Sequence, residues 1–472
     1  MNPASPARTC RRRRLSTVTA AVLLSCLAAP VVAFAKATAS CADPGTGWCV
    51  ARRIVGTDRA SELGFRFGEP LDVDGDGQAD IAAGARMKLW HGNQQNGTAT
   101  VWSGVSGAPI RQWDGEWPDG LFGHWTMLVP DLSGDGLADV VIAAPHARVG
   151  GIMRGALVAR SPKTGEELWK HEETESENLG WDLTLAGDEN GDGRTDLFVG
   201  APAELTGRVY LVSGKDGTVL RTYAPGEEGG SFGWYVARLD DLDADGRADL
   251  AVGGPSAVAT DGKRVGGAWV LSTASGKELY HWKGTDPRGG YGGVVAELVD
   301  LDGDGMGEIA VAAPGTEDQT RTLPGELRIY SGASGKELRH WSGKQPGEQF
   351  GRMIVAAGDL DGDGVGDIAI GAPLHRREAG DRVGRVELRS GRGGKVLNEL
   401  YGDDADCWFG WHVRRAPDPD GRGRPSLLIG SLRCPIDGNP GVGLLDLYVL
   451  RRASDAKDHG TITRGARRSD IK

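Results

Sequence analysis

The nine residues Asp359-Leu-Asp-Gly-Asp-Gly-Val-Gly-Asp367 place carboxylates at positions 1, 3, 5 and 9, with glycines at 4 and 6 that let the backbone curl. Carboxylates converging at that spacing offer hard oxygens, and a calcium ion takes about 6 to 8 of them at flexible geometry. Position 12 is Ile370, not the bidentate acid that would complete a helix-flanked loop. The apolar run Ile368-Ala-Ile-Gly-Ala-Pro373 follows directly. This loop feeds a strand.

The same phrase recurs as Asp72-Val-Asp-Gly-Asp-Gly-Gln-Ala-Asp80, Asp131-Leu-Ser-Gly-Asp-Gly-Leu-Ala-Asp139 and Asp188-Glu-Asn-Gly-Asp-Gly-Arg-Thr-Asp196. It returns as Asp241-Leu-Asp-Ala-Asp-Gly-Arg-Ala-Asp249 and Asp300-Leu-Asp-Gly-Asp-Gly-Met-Gly-Glu308, and decays in Asp418-Pro-Asp-Gly-Arg-Gly-Arg-Pro-Ser426. Successive first aspartates stand 53 to 59 residues apart. A fixed period near 50 means an array or a propeller, and it overrides the two or three domains that length alone suggests. Carboxylates this close repel without a cation, so the loops should loosen in chelator.

The elements that must position the loops repeat with them. A large apolar residue and a glycine stand nine residues before each loop: Leu63-Gly64, Phe122-Gly123, Leu179-Gly180, Phe232-Gly233, Tyr291-Gly292, Phe350-Gly351 and Phe409-Gly410. After each loop comes an apolar strand ending in small residues, as in Gly200-Ala201-Pro202. A third segment alternates, as in Arg208-Val-Tyr-Leu-Val-Ser-Gly214, which marks a half-buried strand. The fourth, such as Gly335-Lys-Glu-Leu-Arg-His-Trp341, follows a short turn. Each repeat thus predicts four strands, A to D. Glycines at fixed turn positions explain the 75 in the chain without disorder.

Residues 1–35 stand outside this pattern. Arg11 to Arg14 precede a mostly apolar stretch ending in Ala33-Phe34-Ala35, which predicts an export signal. Arg12-Arg13-Arg14-Leu15 also allows twin-arginine export. Leu23-Leu24-Ser25-Cys26 weakly resembles a lipoprotein box, which would put a lipid anchor on Cys26. Pro30 and polar residues interrupt the run, so no transmembrane segment is expected after signal removal. The predicted product is secreted, periplasmic or cell-surface. Residues 36–48 form a short lead-in, and 453–472 read as a disordered polar tail. The net charge of -11 speaks against a nucleic-acid partner, and the acids concentrate in the metal-type loops. An even number of cysteines after the signal (Cys41, Cys49, Cys407 and Cys434) favours disulfides in an exported chain.

The phrase of large apolar-Gly, acidic loop and Gly-Ala-Pro resembles the FG-GAP repeat of integrin alpha-subunit propellers and their bacterial relatives, over about residues 49 to 450. The resemblance implies an all-β, seven-bladed β-propeller of four-stranded blades at 49–452. It also implies up to six Ca²⁺ ions, each in an A–B hairpin, held by side chains at positions 1, 3, 5 and 9 and the carbonyl at 7. The first loop would use Asp72, Asp74, Asp76 and Asp80 with the carbonyl of Gln78; the second, Asp131, Ser133, Asp135 and Asp139 with Leu137. The third would use Asp188, Asn190, Asp192 and Asp196 with Arg194; the fourth, Asp241, Asp243, Asp245 and Asp249 with Arg247. Asp300, Asp302, Asp304 and Glu308 with Met306 make the fifth, and Asp359, Asp361, Asp363 and Asp367 with Val365 the sixth. Ser133 and Asn190 lose charge, so weaker sites are expected there. The seventh loop fails, and the Arg422 guanidinium is expected in the cation's place, against Asp418 and Asp420.

The last repeat lacks a D strand, while Cys49-Val-Ala-Arg-Arg-Ile-Val-Gly56 is a D strand without a blade, so it should complete blade seven and close the ring. With strands ordered A to D from the axis, D–A and B–C loops share one face and the metal loops the other. That topology pairs Cys407 with Cys434 and leaves Cys41 for Cys49. No catalytic constellation stands out, so no enzymatic activity is expected. His91, His146 and His375 read as solvated loop residues and most tryptophans as inter-blade core, with Trp90, Trp117 and Trp408 as surface candidates. The resemblance implies a binding or adhesion module whose long, dissimilar D–A and B–C loops meet a protein or polysaccharide. The rivals are a secreted propeller lyase or glycosidase, and a structural surface component without a specific ligand.

Overall fold

The computed structural model describes residues 47–56, 61–88, 95–175, 178–203, 206–225, 229–259, 261–316, 320–378, 380–436 and 441–451. Every regular element among them is a β-strand, and no helix there is long and apolar enough to cross a membrane. The expected export segment, Cys41, Trp90, His91 and the tail from 453 lie outside the described residues.

Seven small antiparallel sheets follow one another along the chain and form a seven-bladed β-propeller. In the fourth, Tyr235–Arg238, Leu250–Gly254, Gly267–Leu271 and Glu278–Lys283 run as A, B, C and D and pair in that order. The B strands Leu250–Gly254, Ile309–Ala313 and Asp367–Ala372 are buried throughout. They read as continuous small apolar residues because a neighbouring blade covers each face. D strands are more exposed, and Val396–Tyr401 alternates toward solvent.

The glycine phrases at the two ends of the repeat are one contact. A Cβ on Gly84 would lie 1.9 Å from the carbonyl oxygen of Gly123, and one on Gly200 would lie 2.0 Å from that of Gly233. At these junctions the B-strand glycine admits the backbone of the next blade's large-Gly pair at a distance that excludes any side chain, whereas blades two and five have Ala143 and Ala312 there. Outer strands are tied in the same direction. The indole Nε1 atoms of Trp169 and Trp282 donate to the carbonyls of Gly214 and Gly335 in the following blade, at 2.7 and 3.1 Å, and the Tyr223 hydroxyl donates to Thr273 O at 3.0 Å. The tryptophans expected between blades are there.

The ring closes as the sequence predicts. Gly47–Val55 pairs antiparallel with Leu444–Arg451, from Gly47 opposite Arg451 to Val55 opposite Leu444, with one irregularity between Val50 and Arg52. The sheet order is N-terminal strand, then Leu444–Arg451, Ser426–Ser431 and Phe409–Ala416. The strand begins at Gly47 rather than Cys49. Arg53 reinforces the seam, donating to both oxygens of buried Asp446 at 2.7 and 2.9 Å.

Blade one departs from the four-stranded expectation. Its sheet holds only Ile81–Ala85, Thr98–Trp102 and Pro109–Asp114. In place of strand A are isolated bridges, Leu63 with Ala85 and Leu71 with Asp80. Pro70 has no N–H for the ladder, and the segment leans instead on blade two, where Phe67 bridges Thr126. A two-residue ribbon, Arg148–Val149 with Ile152–Met153, decorates the B–C loop of blade two.

Ile54 is 6% exposed in a cluster with Leu63, Phe67, Ile81 and Leu445. Truncating it touches the closing strand and blade one together. Ile54→Ala should cost about 2 to 4 kcal/mol in denaturant unfolding; a cost within experimental error would mean that this strand does not hold the ring.

Candidate metal loops and the axial mouth

Each acidic loop is first organised by its own backbone. Asp72 accepts the N–H groups of Gly75 and Gly77 at 2.7 and 2.9 Å, both glycines lying at positive φ. Asp300 does the same with Gly303 and Gly305 at 2.6 and 2.9 Å. Loop four has Ala244 at the first of these positions, held at φ 59°. The ninth-position acid turns inward. Asp80 is fully buried and accepts from Val73 N at 2.9 Å and from Gly104 N, in the C–D turn, at 2.7 Å. Asp367 repeats this with Leu360 N and Gly391 N at 2.6 and 2.9 Å. A–B loops and C–D turns thus share a face.

Four loops gather three carboxylates with ligand oxygens within 4.8 Å of one another: Asp72, Asp74 and Asp80; Asp241, Asp243 and Asp249; Asp300, Asp302 and Asp304; Asp359, Asp361 and Asp367. Concentrated carboxylate oxygens are the donor set a hard divalent cation takes, so these residues fit one. The fifth-position acid joins only in the loop of Asp304. In three loops it also faces the C–D turn: Asp245 and Asp304 accept from the Ser272 and Ser331 hydroxyls at 3.1 Å, and Asp363 pairs with Arg392 at 3.2 Å. Glu308 is buried and takes the N–H groups of Leu301 and Asp302. Burial pushes Asp249 up to about 6 and Glu308 up to about 7, with neighbouring aspartates adding to the rise. Loops two and three, with Ser133 and Asn190, form no such trio of acids among the described residues. Their seventh positions matter in another way. Arg194 reaches the carbonyl of Asp131 in the preceding blade at 2.9 Å, and Arg247 likewise meets that of Glu189 at 3.0 Å.

Loop seven substitutes a guanidinium, though not the one expected. Arg424, at position 7, donates to both oxygens of Asp418 at 2.9 and 2.8 Å and to Asp420 at 2.5 Å. No side-chain bond joins Arg422, at position 5, to either acid. Arg424 folds back onto its own loop, whereas the seventh-position Arg194 and Arg247 reach the preceding blade.

The opposite face carries the Cys407–Cys434 disulfide, linking the D–A and B–C loops of blade seven with Cα atoms 3.9 Å apart. Two surface expectations fail here. Trp117 is 9% exposed and donates to Glu172 at 3.3 Å. His375 is buried, its Nδ1 2.5 Å from Glu348 Oε2, in an ionic cluster around fully buried Arg385. Both sit where a D–A loop folds over its own blade. Trp408 is half-buried, stacked on Trp411 with Arg433 over its face.

At the axis the residue following each large-Gly pair forms a ring, which the sequence reading passed over. Phe65, His124, Trp181 and Trp234 contact in succession, with centroids 4.7, 4.9 and 4.7 Å apart. Blade five contributes Gly293, and blades six and seven Arg352 and Trp411. Trp411 returns to Phe65 at 5.6 Å. Reading that column down the repeat would have exposed it. His124 is fully buried. Its Nδ1 accepts from Arg86 at 3.2 Å and its Nε2 donates to the Trp181 carbonyl at 3.1 Å, which requires the neutral ring. Burial, then Arg86, Arg66 and His146, hold it well below the ordinary histidine range. Burial, then Arg414, with Arg66 and Arg352, does the same to His412, whose Nε2 donates to Phe67 O at 3.0 Å.

Fold and loops define a seven-bladed β-propeller with acidic hairpins on one face. The FG-GAP repeat family model matches residues 70–102, 179–212 and 352–386. Integrin alpha-4 of Xenopus laevis is 33% identical over 193 residues, 38% of this chain and 18% of that protein. Integrin alpha-V of Gallus gallus is 32% identical over 211 residues, 41% and 20%. Integrin alpha-3 of Cricetulus griseus is 25% identical over 268 residues, 52% and 24%. The matched stretches span about a fifth to a quarter of these relatives. The chain carries FG-GAP repeats at these three stretches and is similar over part of its length to integrin alpha subunits, which supports an FG-GAP, integrin alpha-type β-propeller.

Two outcomes follow for stability. Arg424→Ala leaves the carboxylate of Asp418, 2% exposed, without its cation and should cost about 3 kcal/mol in denaturant melts, a loss that Asp418→Asn in the same chain should reduce. His124 and His412 stay neutral in the fold but charge in the unfolded chain near pH 6.5. Stability is therefore fully present above that pH and falls below it, by up to about 1.4 kcal/mol per pH unit per histidine. In melts from pH 8 to 5 the double glutamine variant should lose less stability than the unmutated chain, since Asp249 and Glu308, pushed up by burial, act in the opposite direction equally in both.

Proposed function

We propose that this chain is an exported, calcium-stabilised propeller that works by binding a protein or polysaccharide through its D–A/B–C face. The division of labour between the two faces carries the reading. Acidic loops of near-identical sequence crowd one face, while the other presents dissimilar loops, a ribbon with Ile152 48% and Met153 42% exposed, and the aromatic mouth. Exposed apolar residues on a rigid scaffold mark recognition surfaces. The family resemblance supports binding over catalysis, and a cell-surface or secreted site.

Calcium would sit first in the loops of Asp72, Asp241, Asp300 and Asp359, and more weakly in those of Asp131 and Asp188. Its role is to cancel carboxylate repulsion and hold each hairpin against its C–D turn. With dissociation constants of roughly 10⁻⁴ to 10⁻³ M, usual for extracellular modules, ~10 mM calcium would add about 1.4 to 2.7 kcal/mol per site.

The melting temperature should therefore fall in chelator and recover with calcium. Asp74→Ala and Asp361→Ala should each remove part of the response; equal melting in calcium and chelator ends the calcium reading. On a panel of glycans and extracellular proteins, Ile152→Asp with Met153→Asp should abolish capture without changing the melt. Capture that survives this pair and is lost instead through acidic-face variants that still fold would place the ligand on the wrong face.

A further inference from the structure

The D–A/B–C face gathers unpaired positive charge at one place, between blades five and six. The B–C loop of blade six is a tight hairpin in which Arg376 bridges Arg382 antiparallel. Residues opposite each other in such a bridge share a face, with Cβ atoms about 4.5 to 5.5 Å apart. The D–A loop beside it grips the hairpin at Arg376: Gln345 Oε1 accepts from Arg376 N at 3.0 Å, and its amide donates to the Arg376 carbonyl at 2.9 Å. Two residues on, Gly347 packs against the B–C loop of blade five. A Cβ there would lie 2.8 Å from Cβ of Arg321, and Gly347 N donates to Leu323 O at 2.9 Å. One D–A loop thus sets Arg321 beside Arg376, and the hairpin adds Arg382.

Among the described residues none of the three forms an ion pair; Arg376 donates to the Gly380 carbonyl at 2.8 Å. Glu378 and Asp381 stand in the hairpin's turn, and Asp406 draws on Arg382 from the next D–A loop without pairing with it. Arg321 and Arg376 are exposed and Arg382 is half-buried. Like charges held together cost free energy, and here Arg382 is lowered by burial, then by Arg376 and Arg321. Arg321 is also held at φ 53°, a region that residues other than glycine seldom occupy and that clusters at binding sites. Guanidiniums fork onto sulfate or carboxylate, and three spread over two loops suit an anion with several charged groups. Tyr401, 39% exposed, borders the hairpin. Its ring lies 5.7 Å from that of His375, which precedes Arg376, and Arg377 donates to the adjoining Gly402 carbonyl at 2.5 Å. A folded protein partner would want an apolar centre to its contact; a hydrophilic chain of sugars needs only the charges and the ring.

We infer that Arg321, Arg376 and Arg382 form a docking patch for an anionic polysaccharide, with their guanidiniums on its sulfate or carboxylate groups and Tyr401 against a sugar face. This rests on the proposed binding role in sharing its face, and it narrows the partner at blades five and six to a charged glycan. The rest of the chain, at a net charge of -11, repels such a polymer, so it is held where the cations gather.

The probes are heparin, which carries sulfate and carboxylate, and hyaluronate, which carries carboxylate alone, against neutral dextran and poly-L-glutamate, in calorimetry on the purified chain. Heparin should bind at least tenfold tighter than dextran or poly-L-glutamate; hyaluronate matching it assigns the patch to carboxylate, and hyaluronate failing to bind assigns it to sulfate. Arg321→Gln, Arg376→Gln and Arg382→Gln combined should weaken heparin at least tenfold without lowering the melting temperature. Lys263→Gln, at an exposed base on the B–C loop of blade four, should change nothing. Should the triple variant fail to fold, the unmutated chain still decides, because poly-L-glutamate at equal charge should not displace heparin. No heparin binding, displacement by poly-L-glutamate, or undiminished affinity in the folded triple variant overturns the assignment. The ribbon of blade two is read on partners without sulfate or carboxylate. Heparin binding that needs the arginines therefore stands even where no such partner is captured, and capture of such a partner without heparin binding sinks the patch alone.

Discussion

Five of the seven blade junctions carry backbone past backbone at a distance no side chain permits, while blades two and five place Ala143 and Ala312 at the equivalent position. Where Gly84 faces the carbonyl of Gly123, or Gly253 that of Gly292, neighbouring blades meet through main chain alone. That contact sets the pitch between sheets. Fully buried B strands then have small residues on both faces, and the indoles of the D strands can span to the next blade's turn. A methyl group at Gly84 or Gly253 would meet the facing carbonyl oxygen at 1.9 to 2.0 Å, so the neighbouring backbone would have to shift.

The acidic hairpins are better understood within that frame as local clasps than as isolated ion traps. The ninth acid joins its own loop to the C–D turn, and at blades three and four the seventh side chain reaches back to the preceding blade. In blade seven Arg424 carries the positive charge within the polypeptide. The last blade therefore keeps its hairpin without depending on an outside cation, and it is also the blade assembled from both ends of the chain.

The repeat made the architecture legible. Period, large-Gly pairs and the surplus strand read at Cys49–Gly56 suffice to count blades and close the ring, because main-chain geometry repeats in the copies. What the sequence hid lies where copies differ. Pro70 removes a ladder donor, yet only the structure shows blade one leaning on Thr126 instead. The arginine that replaces a cation was sought at position 5, where side chains in fact turn toward the C–D turn. Trp117 and His375 read as surface residues because loops that fold back over a blade carry no periodic signal. The axial ring was missed because its members stand one per repeat, so no local window contains two of them.

The buckle at blade seven also constrains how the molecule comes into being. Arg53 and Asp446 are separated by 393 positions, so the first strand to emerge must wait, with an open edge, for nearly the last. Contacts of such separation form slowly, and unfinished sheet edges invite pairing with other chains. A chain halted before its final strands would thus expose two raw borders rather than a smaller finished ring, making completeness of synthesis a condition for solubility and not only for shape.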